Sequence, residues 1–286
     1  MIERLALIGT GLIGGSLALA LKAAGAVGEV VGCGRNPATL ERARELGIID
    51  RYATDPAQAV AGADVVFLAV PIAAMREVFR ALRPGLAGEV LITDGGSAKG
   101  CVVEDARAEL GPWFAHFVPG HPIAGTEQSG PDAAFATLFA GRRVILTPLP
   151  ENSAEDVARA EALWLATGAQ LETMSVAHHD HVLAATSHLP HVLAFTLVDS
   201  LARMEERQEI FRYAAGGFRD FTRIASSDPT MWRDICLGNR TELLALIGRF
   251  QQDLSALAAS IEAGEGEALS ALFARAKRVR DTLYSL

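Results

Sequence analysis

Residues 4–14 read RLALIGTGLIG, an apolar run that enters Gly9-Thr10-Gly11-Leu12-Ile13-Gly14, a GxGxxG turn. Residues 15–25, GSLALALKAAG, follow with helical spacing of apolar residues. One glycine makes the tight turn out of the strand, the next admits a pyrophosphate against the backbone, and the third lets helix close on strand. The helix N-terminus then offers free N–H groups and a positive dipole end to the anion. Alone the motif is weak evidence, and a tight turn without ligand is the alternative. With a strand before it and a helix behind, Gly9, Gly11, Leu12, Ile13 and Gly14 are candidate dinucleotide-binding residues.

Working outward, strand and helix patterns alternate. Runs 29–33, 63–69 (ADVVFLA) and 89–94 (EVLITD) predict strands, with helices over 14–24, 39–46 and 73–82 between or before them. Near-continuous apolar runs are the mark of parallel strands buried on both faces. Residues 114–119 and 143–148 predict further strands towards the sheet's far edge. The expected fold is a doubly wound α/β sheet with right-handed crossovers. From about residue 176 helical stretches follow one another (176–203, 206–217, 228–262, 266–284), and no comparable strand pattern appears. The expected division is 1–173, a dinucleotide-binding α/β domain, and 174–286, an all-α domain whose apolar helices call for a partner surface.

The chain has 286 residues, half of them apolar and 21% charged, which suffices for two buried cores. Its net charge of -8 argues against a polybasic nucleic-acid or membrane-surface binder. Cys33, Cys101 and Cys236 are odd in number and lack a CxxC pair, predicting packed thiols in a reducing compartment and neither disulfide nor metal framework. Without a basic leader or a run of 18 uncharged apolar residues, a soluble cytoplasmic protein is expected.

At the end of the second strand, Gly32-Cys33-Gly34-Arg35-Asn36 has no carboxylate to hold a ribose 2′-hydroxyl. Arg35 can instead take a 2′-phosphate, which favours NADP over NAD; stacking on adenine, or plain solvation, is the alternative. Two polar segments follow predicted strands, Asp94-Gly95-Gly96-Ser97-Ala98-Lys99 and Gly120-His121-Pro122-Ile123-Ala124-Gly125-Thr126-Glu127. His121, flanked by Gly120 and Pro122, suits a general base, with an ordinary pKa of about 6.5. Residues 211–240 carry five Arg against three Asp and no Lys or Glu, suggesting recognition of a small carboxylate; Arg223 is the chosen candidate. His178, His179 and His181 surround Asp180 and are read as the polar start of a helix, with Asp180 near its cap, in preference to a metal site. His188 and His191, in Ser187-His188-Leu189-Pro190-His191, are either packed or substrate-facing.

These segments together resemble the prephenate/arogenate (cyclohexadienyl) dehydrogenase family of tyrosine biosynthesis. The likeness spans GTGLIGGSLALAL, ADVVFLAVP, TDGGSAKG, GHPIAGTEQSG, SHLPH and GGFRDFTRIASSDPTMWRDI. It implies a Rossmann-type domain, a helical dimerisation domain, a homodimer, and oxidative decarboxylation with hydride transfer to NAD(P). By the resemblance His121 polarises the substrate 4-hydroxyl, Ser97 assists it, and Arg223 holds the ring carboxylate with Asp220 fixing its guanidinium. Thr126 and Glu127 lie at the mouth; His188 braces its helix; Ser187 is a further substrate-binding residue; His191 reaches the side-chain end, favouring prephenate with arogenate as a second substrate. Two rivals are a β-hydroxyacid-type dehydrogenase, which needs a helical-domain lysine where this chain has only Lys22, Lys99 and Lys277, and a non-catalytic NAD(P) sensor.

Overall fold

The computed structural model describes residues 1–126 and 128–283. Six strands, β1 (Ile2–Ile8), β2 (Val27–Cys33), β3 (Arg51–Ala53), β4 (Val65–Leu68), β5 (Leu91–Asp94) and β6 (Phe117–Val118), form a sheet of order β3-β2-β1-β4-β5-β6. Every pairing in it is parallel. The order reverses between β1 and β4, so the crevice beyond their carboxyl ends is where such sheets take a ligand.

Alternation along the strands divides the core in two. Ala6, Ile8, Val66, Leu68 and Ile92 face Phe79, Leu82, Val102 and Ala106. Their neighbours Leu5, Leu7, Val65, Phe67 and Leu91 join Leu17, Leu21, Phe139 and Trp164 on the opposite side. Trp164 receives Phe67 and Phe139 edge-on, with ring centroids 5.6 and 5.3 Å away. Each such contact adds about 0.5–1.5 kcal/mol to area burial.

The far edge departs from expectation. Gly111–His116 is a 3-10 helix opened by Pro112, and β6 keeps only two residues before Pro119. Proline lacks the N–H a ladder needs, so the chain leaves the main sheet there. It starts a second sheet, in which β7 (Gly120–Pro122) runs antiparallel to β8 (Arg143–Leu146), and β8 parallel to β9 (Gln170–Thr173). Residues 143–148 therefore belong to this small sheet and not to the main one.

After β9 the described residues are helical. Val176–Leu183, a π turn Ala184–His188 and Leu189–Ala202 form one continuous rod. Its length and apolarity would suffice to cross a membrane, but His179, Asp180 and His188 on it are buried by contacts with protein. Strand content ends at Thr173, whereas contacts divide the chain into Met1–Arg240 and Thr241–Leu286. The helices up to Gly238 thus form one body with the parallel sheet. The second unit holds most of Arg240–Glu262 and all of Gly266–Leu283, and exposes Leu244, Leu254, Ile261 and Phe273.

Candidate active site

The glycine turn leaves room for a ligand on one side only. Gly9 has φ +100°, and a Cβ there would lie 2.3 Å from the Ala69 carbonyl oxygen; at Gly14 it would lie 2.1 Å from the Gly9 oxygen. At Gly11, the N-cap of helix Leu12–Ala23, the same construction meets nothing within 4 Å. No side chain caps this helix, and its first turn, with half-buried Leu12 and Ile13, holds no carboxylate. An anion therefore fits the chemistry of this N-terminus. Arg35 is exposed just past β2 and has no ion-pair partner among the described residues. The three cysteines are free. Burial pushes the Cys33 and Cys101 thiols up to about 11, which keeps them protonated.

The loop after β5 is organised around a buried ion pair. Asp94 and Lys99 are both fully buried and pair directly. Asp94 also accepts from Gly96 N at 2.8 Å and Gly120 N at 3.1 Å, while Lys99 Nζ donates to Gly120 O at 2.7 Å. Removing two charges from water is costly unless further hydrogen bonds offset it, and here both groups make them. The pair fixes Gly120, and with it the start of β7 and the next residue, His121. Half-buried Ser97 lies on the same loop.

The rod supplies what sequence reading missed. Ser175, not Asp180, caps Val176–Leu183, accepting from His178 N at 3.2 Å. Asp180 sits further along and caps a different helix, Gly100–Glu109, accepting from Lys99 N and Gly100 N at 2.8 Å each. Its other contact is His179 Nδ1, 2.8 Å from Oδ1, and His179 Nε2 lies 2.8 Å from His121 Nδ1. Burial pushes the Asp180 carboxyl up, but the His179 and backbone hydrogen bonds outweigh it and hold it below its ordinary value. Ionised, it can only accept. His179 must then carry its proton on Nδ1, so its Nε2 accepts and His121 Nδ1 donates. His121 Nε2 is left as a bare acceptor. Burial, then the charges of His179, Lys99 and His188, hold His121 well below 6.5, and burial likewise lowers His179, so neutral rings are the resting state. His178 and His181 are exposed, and no group of three His, Cys, Asp or Glu suited to a metal occurs among the described residues.

The π turn directs the next histidines. Buried His188 lies 3.2 Å (Nδ1) from Asn239 Nδ2, which also donates to Asp180 O at 2.7 Å. Burial pushes its imidazole down to about 4. His191 stacks on Trp232 with centroids 3.6 Å apart, and its Nδ1 donates to the Ser187 carbonyl at 2.9 Å. Burial lowers His191 first, and the nearby Arg223 charge adds to this. Electrostatic interactions thus link His121 to His179 and His188, His188 to His191, and His191 to Arg223, with the backbone of Ser97 beside His188 and that of Ser187 beside His191. Arg223 opens a 3-10 turn after helix Gly216–Thr222. Asp220 lies on that helix and is exposed. Thr126 is in an exposed loop, its Oγ1 3.3 Å from Gln128 N; Glu127 lies outside the described residues.

Residues 17–173 match the family described as prephenate dehydrogenase, nucleotide-binding domain, and residues 175–275 match prephenate dehydrogenase, dimerization domain. The chain is 41% identical to the cyclohexadienyl dehydrogenase of Zymomonas mobilis over 97% of this chain and 95% of that protein. It is 37% identical to the prephenate dehydrogenase of Bacillus subtilis, over 99% of this chain and 76% of that one. The fold superposes with a TM-score of 0.93, at 38% identity and 99% coverage of both chains, on prephenate dehydrogenase from A. aeolicus in complex with hydroxyphenyl propionate and NAD+.

Proposed function

Because the chain belongs to the prephenate dehydrogenase family, we propose that it oxidatively decarboxylates prephenate to 4-hydroxyphenylpyruvate with a nicotinamide cofactor, and takes arogenate as a second substrate. One observation carries the chemistry: Asp180 and His179 leave His121 neutral, with Nε2 a bare acceptor. The cofactor, held by Gly9, Gly11, Leu12, Ile13 and Gly14, supplies a hydride acceptor when bound. His121 Nε2 accepts the hydrogen bond of the ring 4-hydroxyl and takes its proton as the carbon beneath gives up hydride. Ser97 orients that hydroxyl. Arg223 binds the ring carboxylate until it departs as carbon dioxide, and His191, braced by Trp232 and Ser187, meets the side-chain end. In this reading Thr126 helps to gate access, and Asp220 supports the carboxylate-binding role of Arg223. Aromatisation drives the reaction, so the protein's work is orientation and charge placement.

Arg35 and the absence of a carboxylate after β2 support NADP over NAD. The Aquifex relative, however, is described with NAD+. The dimerization-domain match and the apolar residues exposed on the last two helices support a homodimer; the three free cysteines fit a cytoplasmic enzyme. Steady-state kinetics with prephenate and arogenate, each with NAD and NADP, tests the assignment. Reduced nicotinamide should appear with prephenate, fastest with NADP. No turnover with any of the four pairs would refute the function, and a higher kcat/KM with NAD would refute the role of Arg35.

A further inference from the structure

We propose that the proton taken from the substrate hydroxyl does not rest on His121 but passes on to His179, where Asp180 pairs with the charge, and returns by the same route to the product oxygen. The inference rests on the functional reading above and extends it to two residues with no part in that reading's contact with substrate.

The geometry provides a single line of donors and acceptors. His121 Nδ1 and His179 Nε2 are 2.8 Å apart, with ring centroids at 5.1 Å, and His179 Nδ1 is 2.8 Å from Asp180 Oδ1. Asp180 cannot swing away, because Lys99 N and Gly100 N hold its two oxygens. The charged and titratable groups around His121 are the Lys99–Asp94 pair on the loop after β5 and His179, Asp180 and His188 on the rod. Among them a positive charge on His121 finds an ammonium and two imidazoles but no carboxylate in contact. The same charge on His179 has Asp180 at hydrogen-bond distance. In a low-dielectric setting that difference decides where the proton settles.

The step balances. The substrate O–H bond breaks as His121 Nε2–H forms, while His121 Nδ1–H breaks and His179 Nε2–H forms. The O–H electron pair becomes the new carbonyl bond as the ring carbon releases hydride to the cofactor. Loss of carbon dioxide then returns an electron pair to the ring and makes the oxygen a phenolate. That oxygen recovers a proton from His121 Nε2, and His179 returns its own to His121 Nδ1. No net proton is released, so His179, fully buried, needs no route to solvent.

His179→Gln tests the relay, since an amide can accept from His121 Nδ1 and donate to Asp180 but cannot carry the proton. Its kcat for prephenate should fall by about tenfold to a hundredfold, below the span of a whole acid–base group, with KM little changed. In single-turnover mixtures of light and heavy water, the wild-type rate should depend on deuterium fraction with the curvature of two protons in flight, and the variant's rate should be linear. In the cofactor-free wild type, 15N-histidine spectra should place the proton of both rings on Nδ1. A linear wild-type dependence, a His121 proton on Nε2, or a variant kcat within a factor of two of wild type would each overturn the relay. The wild-type measurements decide the matter even where the variant does not fold. Absence of any turnover by the wild type would instead refute the functional reading itself.

Discussion

Acid should destabilise this fold through its buried histidines, and His188 gives the clearest magnitude. Its pKa falls from 6.5 to about 4 because the ring is buried, and only 1% of the residue remains exposed. A depressed native value means that the unfolded chain binds the proton more readily. Stability is therefore intact above pH 6.5 and is lost as pH falls from there towards 4. At pH 5 the unfolded imidazole is nearly all charged and the native one nearly all neutral, which costs about 2 kcal/mol relative to pH 8, and about 3 kcal/mol below pH 4. His121 and His179, also held neutral by burial, act in the same direction. Urea unfolding followed by circular dichroism at pH 8 and pH 5 measures the loss. Wild type should lose about 2 kcal/mol more between these conditions than His188→Gln, which has no imidazole to charge at that position. An equal loss in both proteins would show that His188 is not held neutral, and would undo the electrostatic description of the rod.

Other outcomes follow from the same contacts. The acid limb of kcat/KM should lie below pH 6.5, because the neutral form of His121 persists there; an inflection at or above 6.5 in a pH–rate profile would contradict this. Gly100→Ala would put a Cβ 2.9 Å from Asp180 Oδ2. It should cost about 1–3 kcal/mol in a denaturation curve and lower kcat by displacing Asp180 and hence His179; wild-type values of both would refute the cap. Arg223→Ala should raise KM for prephenate while leaving the cofactor Kd, measured by fluorescence titration, unchanged. Equal losses in both would place Arg223 outside the carboxylate site.

Much of the fold is legible from local sequence. The glycine turn and the runs at β1, β2, β4 and β5 carry their own signals, since strands buried on both faces are apolar throughout. The short strands were not legible. β7 contains Gly120 and Pro122, and β9 has mostly exposed residues, so neither shows a strand pattern; both exist because β8 lies between them. The site divides similarly. His121, His191 and Arg223 stand out by context, and electrostatic interactions run from His121 through His188 and His191 to Arg223. His179 and Asp180 looked like the start of a helix because their partners are Lys99, Gly100 and His121, 58 to 81 residues away. A signal was nonetheless present: Asp180, Ala184 and His188 recur every four residues, and all three are buried. Polar groups on an otherwise core-facing helical stripe need partners, and here they are Lys99 N and Gly100 N for Asp180 and Asn239 for His188. Nothing local marks Lys99, whose partners Asp94 and Gly120 come together only in the fold, where it pairs with the one and holds the other.

The most direct test of the account is the turnover of His121→Asn with prephenate and saturating cofactor, alongside its affinity for 4-hydroxyphenylpyruvate. With the proton acceptor gone but the pocket intact, kcat should fall by about a hundredfold to ten-thousandfold while product affinity stays near wild type. A kcat close to that of wild type would mean that another group takes the hydroxyl proton, and the central claim would be wrong.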